Sequence, residues 1–519
     1  MNRSRRAFFG DVSKGMILAG LGAGLASDLG MVPSAWAAET AGDLSFGDLE
    51  PLVRLLQETE AKKLNAVLVN KLNSGTELKT LVKAAALANA RTFGGDDYIG
   101  FHTMMAIGPA WEMTKELPDA QRALPVLKVL YRNTNRIQEV GGRGKESLKT
   151  TSSPASVSGD EVCNHIRDSV HQKNLAAAEN ALATAVHQSP DAALNALLPT
   201  VGEGPEVHRV VLIWRAWDLL NIVGTEHAHT MLRQSVHYCS NAERPGMQPY
   251  FRNVRELIPK LLDQHKLVGR KPGTRDADTA WVRGMARTLF SISPEQAAEA
   301  IAIAITEGFT TASISEAIRL TTNELTLRDK GRLKNQTSPN KPEGSVHGDS
   351  IGVHACDSAN AWCNLARVSD QRNSVACLLL GGFQAARDRV VTGGDFAKWE
   401  SHPTTNEREN LGTTDAKKLL GIAEEAIKAK DQLRAAAAVG EYGDNEHQPK
   451  PMFDLMLKYA ISEDGALHAE KYFRTTFEAF NATRPALRWR HVAALARVTA
   501  SEYGYPAPGV EEAKKLLKV

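Results

Sequence analysis

Cysteine is scarce in this 519-residue chain: five occur, at Cys163, Cys239, Cys356, Cys363 and Cys377. The number is odd, and no pair has the spacing of a metal site. Cys356 and Cys363 are seven apart, two turns of a helix or about 10 Å, too far to bridge. The thiols therefore read as small buried hydrophobes. Several catalytic signatures are absent as well. There is no G-x-S-x-G, no Walker loop, no H-E-x-x-H and no C-x-x-C-H. No run of alternating β-branched residues predicts a strand, and no segment beyond the first 37 residues is long and apolar enough to span a bilayer.

Charge of one sign is lacking too. Lys and Arg number 62 and Asp and Glu 60, and removing the four basic and two acidic residues of the first 37 leaves 58 of each. A neutral body offers no reason to expect nucleic acid or anionic lipid as a partner.

What is present is helical periodicity. Leu52-Val53-Leu55-Leu56, Leu78-Leu81-Val82, Val210-Ile213-Trp214-Trp217-Leu220 and Ala298-Ile301-Ile305 recur at i, i+3, i+4. Abundant alanine favours helix interiors. The expected fold is all-α. Met104-Met105 and the Trp214/Trp217 stripe read as core. Polar, Gly/Pro/Ser-rich stretches at 141–160, 329–348 and 403–415 read as surface loops.

The chain opens Ser4-Arg5-Arg6-Ala7-Phe8-Phe9-Gly10, followed by a weakly apolar stretch from Met16 to Val32 and by Ala35-Trp36-Ala37. This resembles a twin-arginine export signal, with cleavage expected before Ala38. The resemblance implies a folded cargo, carried by the twin-arginine translocase to the periplasm or beyond, in a class that takes up cofactors or metals before crossing.

An internal repeat organises the rest. Asp97-Tyr98-Ile99-Gly100-Phe101-His102 recurs as Asp349-Ser350-Ile351-Gly352-Val353-His354. Gly141-Gly142 recurs as Gly393-Gly394, His227-Ala228 as His468-Ala469, and Asn241-Ala242-Glu243-Arg244-Pro245 as Asn481-Ala482-Thr483-Arg484-Pro485. Upstream, Asn73-Ser74-Gly75 and the helix ending at Arg91 match Thr306-Glu307-Gly308 and the helix ending at Arg328. The expected organisation is a signal at 1–37 and two diverged copies of one multi-helix unit, at 38–290 and 291–519, about a pseudo-twofold axis.

The repeat sorts the 15 histidines. His102 pairs with His354, His227 with His468, and His208 more loosely with His447. His229 falls opposite Glu470. Neutral imidazole serves as a metal ligand or general base near pH 7. Helix-borne histidines converging in a bundle core make a metal site. The expected ligands are His102, His354, His227 and His468 around a transition-metal ion such as iron. A carboxylate among Asp96, Asp97, Glu112, Glu226, Asp349 and Asp357 would hold a second ring nitrogen. Asp97 or Asp349 would cap its helix, and Gly100 or Gly352 would admit a neighbouring backbone. Asn-Ala-x-Arg-Pro would close a helix, its Arg pairing locally. Cys356 is a further soft ligand or nucleophile.

Gly100-Phe101-His102-Thr103-Met104-Met105-Ala106 and Gly352-Val353-His354-Ala355 resemble segments of the questin oxidase-like helical proteins. That resemblance implies an oxygen-using oxidoreductase acting on a small organic molecule. Two other readings stay open: a non-catalytic helical scaffold in which the duplicated histidines are structural, and a metal-dependent hydrolase or lyase.

Overall fold

The computed structural model describes residues 42–151, 161–243, 248–390 and 396–519. The twin-arginine segment, Gly393-Gly394 and Arg244-Pro245 lie outside these residues. Leu44–Val519 forms one compact unit. The boundary expected at 290/291 falls at the end of a helix, Thr279–Ser291, and does not divide that unit.

Every regular element among the described residues is a helix, apart from three isolated bridges such as Arg275 with Phe309. No described helix is long and apolar enough to cross a membrane. Ten helices position the candidate site. In the first half they are α1 (Leu78–Phe93), α2 (Tyr98–Met113), α3 (Leu124–Glu139), α4 (Val207–Asp218) and α5 (Ala228–Ala242). In the second they are α6 (Thr311–Arg328), α7 (Ile351–Val368), α8 (Gln371–Asp388), α9 (His468–Ala482) and α10 (Pro485–Glu502).

Their neighbours follow one scheme. In the first half α2 packs against α1, α3 and α4, and α5 against α4 and α1. In the second α7 packs against α6, α8 and α9, and α10 against α9 and α6. Among these ten helices the halves meet chiefly through α2 with α9 and α4 with α7. The helix Val510–Leu517 packs on Ala61–Asn73 and α3, far back in the chain. Gln248–Gln264 packs forward on Pro294–Thr306 and α8.

Local chemistry explains the helix starts. Asp97 caps α2, accepting from Gly100 N at 2.7 Å. Asp349 does not cap α7; Ser350 does, and Asp349 instead takes up Arg332 and, at 2.6 Å, Lys341. A methyl on Gly352 would lie 2.6 Å from Thr326 N, so here a backbone does approach. On Gly100 it would lie 2.4 Å from the Phe93 ring, so the close neighbour there is a side chain.

Met104, Met105 and Trp214 are buried, as core residues should be. The stretch 329–348 is not wholly a surface loop: Val346 and His347 at its end are buried. Arg484 pairs not locally but with Glu316, 168 residues away, at 2.8 Å.

Candidate functional site

The N-terminal parts of α2, α4, α7 and α9 meet, and each contributes one histidine. His102 lies in the second turn of α2, and His354 in the first turn of α7. His208 is the second residue of α4 and His468 the first of α9. Their ring centroids are 4.8 Å apart from His102 to His208, and 5.5 Å from His208 to His354. They are 5.3 Å apart from His354 to His468 and again from His468 to His102. The four imidazoles thus form a closed ring, in the same cyclic order as the helices that carry them.

Three of the four expected ligands are here: His102, His354 and His468. His227 is not. It sits at the start of α5, edge-on to the Phe46 ring at 5.8 Å and 3.9 Å from Glu226. His208 stands in its place. The loosely matched His447 is elsewhere, at 2.7 Å from the Thr414 carbonyl. His229 contacts the Glu179 carbonyl and Glu470 pairs with Lys128, so neither belongs to the ring.

The ring nitrogens are held by groups other than those expected. The Tyr98 carbonyl accepts from His102 Nδ1 at 2.6 Å, which fixes the proton there and leaves Nε2 with a lone pair. Glu206 Oε2 lies 3.4 Å from His208 Nδ1 and also caps α4 through the His208 and Arg209 amides. The Nε2 atoms of His102 and His208 are buried and without partners. The Nε2 atoms of His354 and His468 face each other at 3.2 Å. None of the six expected carboxylates performs this task. Asp96 faces His237, Asp97 binds Arg136, Glu112 binds Lys115, and Asp357 accepts from Thr475.

Electrostatics disfavour charge on three of the four rings. Burial lowers His102, His354 and His468, His354 to about 3. The Lys471 ammonium, one turn beyond His468 on α9, adds to the effect on all three. Four helix N-termini bring partial positive charge to the same place. Lys471 is buried, and burial brings its amine down to about 8 against the opposing charges of Asp357 and Glu470. Burial would raise the Glu206 carboxyl, but the hydrogen bond and charge of His208 bring it to about 2. His102 and His468 are buried, whereas His208 and His354 are half-buried. Tyr98, 40% exposed, covers the ring from the solvent side, 4.4 Å from His102 and 5.7 Å from His208.

Imidazole nitrogens suit iron, copper, nickel or zinc. Two nitrogens 3.2 Å apart also match the spacing of two ligands at about 2.1 Å from one ion. The set is not closed on a single point, however. Among the described residues, only His171, Glu203 and Glu243 have ligand atoms all within 4.8 Å of one another. That cluster already holds cations: Arg255 lies 2.5 Å from Glu243 and 3.3 Å from Glu203, so it reads as an ion-pair network.

Cys356 is buried and 3.7 Å from Thr326 Oγ1, and burial pushes its thiol up to about 12. Such a thiol is not an activated nucleophile.

No protein-family model matches this chain, and no curated protein or solved structure is significantly similar to it.

Proposed function

We propose that the ring of His102, His208, His354 and His468 is a transition-metal centre, and that the protein is an exported oxidoreductase acting on a small organic molecule. One observation carries the reading: four imidazoles converge from four helices, with two buried Nε2 atoms unpartnered and two more 3.2 Å apart. His354 and His468 would hold the ion, with His102 and His208 offering the further lone pairs. A redox-active ion such as iron would supply electron transfer and oxygen activation there.

The chain's own residues do the rest. The Tyr98 carbonyl and Glu206 orient two of the rings. Lys471, with an amine brought to about 8, can give and recover a proton at Nζ near neutral pH. Tyr98 limits water access from outside. Four helix N-termini and an ammonium favour an anionic group on the substrate.

The same reading takes the chain as two copies of one unit, with α1 to α5 answering to α6 to α10. The matched neighbour schemes support it, as do the two cross contacts α2–α9 and α4–α7, which exchange under a twofold operation. The terminal helix of each copy packs on the other copy, so the two would share one core. Under this scheme His208, not His227, is the counterpart of His468.

Export through the twin-arginine route rests on Arg5 and Arg6. Replacing both with Lys should leave the protein uncleaved in the cytoplasm; unchanged delivery to the periplasm would refute export by that route.

The 3.2 Å separation of His354 and His468 is also that of an N–H···N hydrogen bond, which favours a second reading: a non-catalytic scaffold whose histidines are structural. Titration of metal-free protein with ferrous ion decides between them. Stoichiometric binding that is lost in both His102→Ala and His354→Ala supports the metal centre. Absence of binding, with both variants less stable, supports the scaffold.

A further inference from the structure

A second concave site lies away from the histidine ring. A cleft of about 1210 Å³ opens between Thr279–Ser291, α6, α10 and Gln432–Asp444. Six arginines line it: Arg283, Arg287, Arg328, Arg408, Arg488 and Arg490. Against them stand three carboxylates, Glu324, Asp444 and Glu446.

The pairing within the cleft is uneven. Glu324 is shared by Arg328, at 2.6 Å, and Arg490. Asp444 is taken by Arg408. Arg283, Arg287 and Arg488 have no carboxylate partner among the described residues. Arg283 and Arg287 are four apart on one helix, so both guanidinium groups face the same way, and like charges at that spacing repel unless an anion lies between or above them. Arg488 is half-buried and lies over the Phe480 ring at 4.5 Å, while its Nε is buried without a hydrogen-bond acceptor. Phe290, Leu320, Leu487 and Trp489 give the cleft an apolar wall.

A guanidinium fork matches a carboxylate, sulfate or phosphate, and three of them along an apolar wall match several such groups on one hydrophobic body. A concave site with an apolar lining and a few convergent polar groups is the usual form of a small-molecule site. We propose that this cleft binds a small organic polyanion with a flat apolar body, through Arg283, Arg287 and Arg488. The inference does not depend on the histidine ring.

Calorimetric titration of the full chain with pyrene tetrasulfonate, at low ionic strength, tests it. One site per chain is expected, with affinity falling as salt is added. Arg283→Gln/Arg287→Gln should weaken binding by about tenfold or more, and Arg488→Gln by a similar factor, each of these being a charge-assisted contact. Lys417→Gln/Arg434→Gln, exposed positions outside the cleft, should change nothing. Neutral pyrenemethanol should fail to compete, and inorganic sulfate should compete only weakly. No saturable binding, or equal binding by all variants, overturns the proposal. Sulfate competing as well as the pyrene compound overturns the apolar-body part of it. The double variant at exposed Arg283 and Arg287 keeps the test decisive should Arg488→Gln fail to fold.

Discussion

His354 Nε2 stands 3.2 Å from His468 Nε2, although 114 residues separate them in the chain. One is carried in the first turn of α7 and the other begins α9, and both helices also touch the half of the molecule that carries His102 and His208. Any change in how these helices seat should therefore reach the ring.

Gly352 is a steric requirement for His354. A methyl at Gly352 would lie 2.6 Å from Thr326 N and 2.7 Å from Thr326 Cα, and backbone cannot swing aside as a side chain can. Gly352→Ala should destabilise the protein by about 1–3 kcal/mol, the usual cost of overpacking. Thermal unfolding would show this as a lowered Tm. A Tm equal to that of the parent would mean that α6 and α7 do not meet as described.

Lys128 and Glu470 form a buried pair at 2.7 Å, and Lys128 Nζ also donates to the Ala460 and Glu463 carbonyls. Lys128→Met should cost roughly 3–5 kcal/mol, because a carboxylate is left buried without its partner. Lys128→Met/Glu470→Leu should recover part of that loss. A double-mutant cycle in urea measures the coupling, and purely additive effects would contradict the pairing.

His237 is shifted in the opposite direction from His102, His354 and His468. Burial would lower it, but Asp96 at 3.2 Å and Glu179 at 2.7 Å bring it up to about 9. Arg233, 3.8 Å from Glu179, shares the second carboxylate. Because the folded value lies above the unfolded one, the stabilisation is fully present below about pH 6.5. It is lost as pH rises through about 9. The contribution is up to about 3 kcal/mol. The stability difference between the parent and His237→Gln should be largest near pH 6 and shrink towards pH 9. A difference that grows with pH would reverse the assignment.

The helical class was legible in the sequence because amphipathic spacing records burial directly: Leu81, Val82 and Ile213 are fully buried. The Asp-x-Ile-Gly-x-His pair was legible as a helix start, since both histidines and both glycines lie within the first two turns of α2 and α7. His208 was missed because the repeat was traced through shared words, and His227-Ala228 copies the letters of His468-Ala469. Packing follows helices rather than letters. A weaker signal was present: a glycine stands four residues before His208 and three before His468, and each histidine begins a helix. Glu206 was missed for a related reason. It was sought among carboxylates near the repeated motifs, whereas helix capping put the useful one beside His208. The Asp349 cap failed because Ser350 supplies the same bond while Asp349 meets two cations.

The metal content of the folded protein tests the central claim most directly. Elemental analysis of the purified protein should find about one transition-metal ion per chain, consistent with a single histidine ring. His208→Ala and His468→Ala should each lose it, while His227→Ala should retain it. No stoichiometric metal in the parent, or loss of metal from His227→Ala with retention in His208→Ala, would contradict the four-histidine centre.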